Sequence, residues 1–244
     1  MALDLARVVG AEVLDGLTAR DPAAQRSRRD LQRVHRAMGT RHILLRALQN
    51  LPLRRAENAL RPLRVLELGA GDGSLMLGVV RELPPAWRPV ALTLLDRVDL
   101  LHPATARGFA DSGCIAEVQV MDALDWAATS SVSQKWDLIV ANLFLHHFMP
   151  TPLITLLGAI AVRCENFVAC EPRRSRLAWA GSHLVGALGA NAVTRQDAVL
   201  SVHAGFSGQE LSALWPAAPG WALQEGQAGW FSHCFVASRC DHAL

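Results

Sequence analysis

The chain has 244 residues, 51% apolar and 19% charged, and 24 basic residues against 22 acidic ones give a net charge of +2. That supplies ample apolar material for one large domain with or without an appendage. All the basic residues but Lys135 are arginine and tyrosine is absent, so a Walker A phosphate loop, a multi-lysine catalytic site and a tyrosine nucleophile are excluded.

The opening MALDLARVVG carries Asp4 and Arg7 where a secretory signal needs an unbroken apolar stretch. No later stretch approaches the ~20 uninterrupted apolar residues that span a bilayer, so a cytoplasmic protein without membrane insertion is expected. Residues 1–62 hold 12 arginines against six acids, a net of +6 that leaves −4 for the remainder. These arginines alternate with acids such as Asp15, Asp21 and Asp30 and read as solvated helix faces rather than a nucleic-acid surface. Asp21-Pro22 opens a helix, with Leu31, Val34 and Met38 at helical spacing before Gly39 ends it. A second helix is expected from about Arg41, with Leu44, Leu48 and Leu51 on its apolar side.

From Leu63 the texture changes to short apolar runs alternating with helix-length segments. RVLELG, VALTLLD, AEVQVMD, WDLIVAN and NFVACEP are five candidate buried strands, the pattern of an α/β fold with a doubly wound parallel sheet. At the end of the chain Ser207-Gly208-Gln209-Glu210 reads as a capping box opening a short helix. WALQEG and HCFVASR then read as an antiparallel hairpin joined by Gln227-Ala228-Gly229. Residues 173–206, with an amphipathic stretch around Leu177 to Leu188, are too long for an ordinary connection and are expected to cover a binding site. The five cysteines (Cys114, Cys164, Cys170, Cys234, Cys240) are odd in number and lack CxxC spacing, so they are read as reduced thiols and no metal site is expected.

The segment richest in chemistry is Glu67-Leu68-Gly69-Ala70-Gly71-Asp72-Gly73-Ser74, between a strand and a helix. Its glycines let the backbone turn sharply and approach a ligand, and the helix N-terminus beyond offers unpaired N–H donors to an anionic group. Asp96 falls 23 positions after Gly73, where an acid can accept both hydroxyls of a ribose. A dinucleotide loop needs a third glycine where this chain has Ser74, which weakens an NAD-dependent oxidoreductase. S-adenosylmethionine carries a carboxylate for the helix N-terminus and a cationic part for the acids Glu67, Asp72, Asp96 and Asp122.

Residues 63–171 resemble the class I, Rossmann-like, S-adenosylmethionine-dependent methyltransferases. The matching elements are VLELGAGDGS, the second-strand acid Asp96, the acid Asp122 in VMDALDW, and WDLIVANLFLHHF. The resemblance implies a seven-stranded, mostly parallel sheet with an antiparallel C-terminal hairpin. It also implies an N-terminal helical lid at 1–62 and a methyltransferase domain at 63–244. It places Glu67, Gly69, Ala70, Gly71, Gly73, Asp96, Arg97, Asp122, Ala123 and Asn142 around S-adenosylmethionine. RRDLQRVHRAMG, EPRR and VLSVHAGFSGQELSAL look similar to methyltransferases associated with type III polyketide synthases, which implies O-methylation of a phenolic or polyketide-type small molecule.

A phenol titrates near pH 10, so a base near neutrality would help it react. His146 and His147, just after the fourth strand, are the candidates, with proximity alone as the alternative. His35, Met38 and Glu171 are the candidate acceptor contacts. Lysine-dependent ribose methylation is impossible with Lys135 alone. Asn142-Leu143-Phe144-Leu145 lacks the Pro-Pro-aromatic of amino methyltransferases and the Pro-Cys of cytosine C5 enzymes, so no nucleic-acid substrate is expected. C- or N-methylation of another metabolite and a non-catalytic, cofactor-binding regulatory partner remain as alternatives, with a monomer or a homodimer equally compatible.

Overall fold

A computed structural model describes residues 6–51, 61–129 and 134–240. Its elements run α1 (Pro22–Met38), α2 (Thr40–Gln49), β1 (Leu63–Leu68), α3 (Ser74–Glu82), β2 (Val90–Asp96), α4 (Pro103–Asp111), β3 (Cys114–Val120), α5 (Ala123–Ala128) and β4 (Leu138–Asn142). Then follow α6 (Pro150–Arg163), β5 (Asn166–Pro172), α7 (Arg176–His183), α8 (Ala192–Ala204), α9 (Glu210–Leu214), β6 (Trp221–Ala228) and β7 (Ser232–Arg239). The seven strands form one sheet in the order β3-β2-β1-β4-β5-β7-β6. Neighbours from β3 to β5 are parallel, while β7 pairs antiparallel with both β5 and β6. The parallel strands are joined through helices, and the central strands β1, β2, β4 and β5 are almost wholly buried while β3 and β6 at the edges are partly exposed.

The two faces sort by the strand period of two. Leu66, Leu68, Ile139, Ala141, Phe167 and Ala169 face a core shared with α5, α6 and α9, through Trp126, Leu153, Leu156, Leu157 and Leu211. Val65, Leu92, Leu94, Val140, Val168 and Cys170 face the other, with Met76 and Val79 of α3 and Phe109 of α4. Leu44, Leu45 and Leu48 of α2 belong to this second core as well. α2, which precedes the expected boundary at residue 62, thus packs as a layer of this core.

Asp21 caps α1 by accepting from the Ala23 N–H at 2.7 Å, and Gly39, at φ +69°, separates α1 from α2 as its sequence requires. The buried side of α1 is not the expected one. Ala24, Ser27 and Asp30 are buried, while Leu31, Val34 and Met38 are half-buried. The Ser27 hydroxyl pairs with that of Thr194 on α8 at 2.8 Å, and Asp30 accepts from the Asn191 N–H at 2.7 Å, so a polar seam joins the two helices. β3 lies two residues before its expected place, because Asp122 leaves the strand to cap α5. The hairpin turns at 229–231 rather than 227–229, with Gly229 at φ +71°. In the expected capping box only Glu210 acts its part, accepting from the Ser207 N–H at 3.0 Å; the Ser207 hydroxyl instead accepts from Arg174. Among the described residues no helix is long and apolar enough to cross a membrane.

Candidate active site

The strand order reverses at β1, which has β2 on one side and β4 on the other. In open α/β sheets the crevice at the carboxyl ends of such strands is where ligands bind. The glycine loop, Asp96, Asp122, Asn142 and the His146-His147 pair all follow or end strands at this edge. Gly69, Gly71 and Gly73 have φ of +67°, +55° and +69°, a region L-residues avoid. A Cβ on Gly69 would come within 2.3 Å of the Phe144 ring, so this glycine lets the loop after β4 close on the loop after β1. A Cβ on Gly71 would meet no atom within 4 Å, and its N–H donates to Asp96 Oδ2 at 2.9 Å. Within the loop Ala70 is buried, and Gly73 backs onto Leu94.

Glu67 is buried with one carboxyl oxygen unpartnered. Burial first, then the charges of Asp72 and Asp96, push its carboxyl well above the usual carboxylate range. An unpaired buried carboxyl is costly unless something cationic or hydrogen-bonding meets it. Asn142 at the end of β4 is also buried with its Oδ1 unpartnered. Asp122 caps α5 through the Leu124 N–H at 2.7 Å, with Ala123 buried beside it. Arg97, exposed, forms an ion pair with Asp15 at 2.9 Å.

The loop after β4 is held by one carboxylate. Leu143 has φ +47°, a conformation that costs of order 1 kcal/mol or more and persists only where its surroundings impose it. Glu171, fully buried, accepts from the N–H groups of Phe144 (3.1 Å), Leu145 (2.9 Å) and His146 (3.4 Å), and from His146 Nδ1 at 2.8 Å. Glu171, expected as an acceptor contact, thus spends its carboxylate on this loop.

The two histidines differ sharply. His146 is buried, with Nδ1 on Glu171 and Nε2 3.3 Å from Glu12 Oε1. Burial alone would lower its pKa, but the hydrogen bonds and charges of Glu12 and Glu171 outweigh it and push the pKa up to about 9. The two carboxylates favour the charged form of His146, which works against its expected role as base. His147 is half-buried, its Nδ1 3.5 Å from Asp15 Oδ2. Burial and then the charge on His146 lower its pKa, keeping it neutral and able to take a proton.

The N-terminal segment crosses this edge. Gln32 of α1 donates to Asp72 Oδ2 at 2.6 Å, which sets α1 beside the glycine loop. His35, one turn on, is pushed down to about 4 by burial against the opposing pull of Asp72, and Met38 is half-buried. His35 thus stands on the glycine-loop side. Ahead of α1, Asp197 accepts the Val13 and Leu14 N–H groups at 2.8 and 3.0 Å, and Glu12 accepts from the Ser201 hydroxyl. Arg7, Glu12, Asp15 and Gln32 carry no local motif, so nothing in the sequence pointed to them; their importance comes from which strand ends they reach.

No protein-family model matches the chain, and no curated protein matches it. Solved structures do. The plantazolicin methyltransferase BpumL, in complex with a pentazolic desmethylPZN analog and SAH, superposes with a TM-score of 0.61 at 13% identity, covering 90% of this chain and 92% of that one. The citrinin polyketide synthase CMeT domain gives a TM-score of 0.51 at 15% identity over 79% of this chain and 49% of that one. An O-methyltransferase family protein from Burkholderia thailandensis gives 0.50 at 14% identity over 82% and 56%. The chain has the fold of class I methyltransferases.

Proposed function

We propose that the protein is a methyltransferase that takes the methyl group of S-adenosylmethionine to a small-molecule acceptor. The observation that carries the reading is the set of groups at the switch point: a left-handed, ligand-accessible Gly71 bonded to Asp96, and the buried Glu67 with one carboxyl oxygen unpartnered. The N–H groups at the start of α3 suit a carboxylate. Glu67 and Asp72 suit an ammonium and a sulfonium, Asp96 a ribose, and Asp122 with Ala123 an adenine. The cofactor supplies an already activated methyl on its sulfonium. What the chain must add is alignment of the acceptor, exclusion of water and a place for a proton. α1 and the segment before it act as the lid, tied to the glycine loop by Gln32 and to the loop after β4 by Glu12. For a hydroxyl acceptor His147 is the group placed to accept the proton, with His146 and Glu171 positioning it. The resemblance to polyketide-associated enzymes favours a phenolic oxygen.

Calorimetry with SAH tests the cofactor reading. Wild type is expected to bind in the micromolar range and Asp96→Ala at least about tenfold more weakly, one charge-assisted hydrogen bond being worth roughly that. No heat for wild type, or equal affinity for the variant, would overturn it.

A further inference from the structure

Glu12, His146 and His147 form a second chemically able cluster beside the glycine loop, with one donor atom from each lying within 4.8 Å of the others. Glu12 Oε1 and His146 Nε2 stand 3.3 Å apart. That is about the separation of two donors on a tetrahedral ion with bonds of about 2.0–2.1 Å. The imidazole is held from behind by Glu171 Oε2 on His146 Nδ1 at 2.8 Å, and the Ser201 hydroxyl donates to Glu12 Oε1, the oxygen that faces His146. A carboxylate on the far nitrogen of an imidazole fixes its tautomer and aims the near nitrogen, and it is the recurrent outer partner of zinc-bound histidine. His147 repeats the arrangement more loosely, with Nδ1 3.5 Å from Asp15 Oδ2.

We propose that Glu12, His146 and His147 bind a divalent transition-metal ion of the zinc class, with Glu171 and Asp15 as the outer carboxylates. Two imidazoles and one carboxylate suit zinc, cobalt or nickel; magnesium and calcium call for oxygen donors. The ion replaces the proton on His146 Nε2, which passes to solvent, so binding weakens as pH falls. Three protein ligands leave a fourth position, the layout of a catalytic rather than a structural ion. It lies toward His147, the most exposed of the three, whose side chain is 26% accessible. Resting on the methyltransferase reading, an acceptor hydroxyl that takes this position forms a metal–oxygen bond and loses its proton to solvent. His147 then serves as ligand instead of base. No sequence spacing announces the site, since Glu12 and His146 lie 134 positions apart.

The test uses the whole chain, stripped with chelator and titrated with Co²⁺, whose visible bands are intense when the ion is four-coordinate, with elemental analysis after zinc loading. Wild type is expected to show the bands and retain one zinc per chain. Glu12→Gln and His147→Ala are each expected to lose the bands at equimolar cobalt, while Asp15→Asn keeps them at about tenfold lower affinity. A wild type with neither bands nor retained zinc overturns the site, as do Glu12→Gln and His147→Ala proteins that bind like wild type. If Glu12→Gln fails to fold by circular dichroism, the half-exposed His147→Ala decides. SAH calorimetry on the same samples separates the two readings. Heat without cobalt bands in wild type removes the metal alone, and bands without heat leave the site standing while removing the cofactor.

Discussion

Three histidines in this chain show how far a residue's chemistry is set by what folds around it. His146 is held charged by two carboxylates, its neighbour His147 is held neutral, and His35 is pushed down to about 4 by burial. The sign for His35 follows from linkage. An unfolded histidine titrates near pH 6.5, so as the pH falls from about 6.5 toward 4 the unfolded chain gains a proton that the folded one refuses. Stability is full above that window and drops within it. His35→Gln removes this contribution, so the melting temperature of the variant relative to wild type is expected to rise as pH goes from 7 to 5. A constant difference between the two proteins would count against a neutral His35. At this scale the sequence showed which residues are able to react; which of His146 and His147 carries the proton depended on Glu12 and Glu171, each distant along the chain.

Among the elements, the connection from β4 is the most tightly specified. Its backbone turns through a left-handed Leu143, its Phe144 ring fills the space that Gly69 leaves without a side chain, and its N–H groups converge on Glu171 of β5. The glycine loop and the histidine loop are thus built against each other. Glu171→Gln places an amide NH₂ among these N–H donors and leaves His146 without one of its charged partners. Breaking a buried ionic pair on one side costs about 3–5 kcal/mol. Urea denaturation is expected to show a loss of that order, and a loss under about 1 kcal/mol would mean the loop is held by its packing alone. The strands themselves were legible because apolar runs bounded by turn residues leave little choice, and Val90–Asp96 and Asn166–Pro172 match their expected bounds. β3 was displaced because capping of the next helix by Asp122 competes with strand extension.

Over the molecule as a whole, the segment before α1 is laid across the far half of the chain. Arg7 donates to the carbonyls of Ala204 (2.8 Å), His146 (3.2 Å) and Phe148 (2.9 Å), and its guanidinium lies 4.6 Å from the centre of the Phe206 ring. These contacts pin α8 and the histidine loop to one strap. Arg7→Ala is expected to cost about 2 kcal/mol and to speed amide exchange at 146–148 and 203–206 together. Arg7→Lys should restore only part of this, because one ammonium cannot span three carbonyls as a guanidinium does. Exchange rising at only one of the two places would show that the strap does not couple them. The arginine surplus of the first quarter is accordingly not one surface: Arg7 is half-buried in this seam, Arg33 pairs with Asp30, and Arg41 pairs with Glu82.

The sequence by itself determined the α/β class, the alternation of strands and helices with its terminal hairpin, and the glycine loop with its following acids. Each of these rests on short-range pattern: strand alternation with helices, backbone freedom at glycine, and one acid per strand end. Tertiary structure alone decided that α2 is core, that Glu171 supports a loop, that His146 is charged, and that Glu12 and Asp15 meet the two histidines. Those outcomes depend on burial and on charges brought together from remote parts of the chain, and local periodicity carries no record of either.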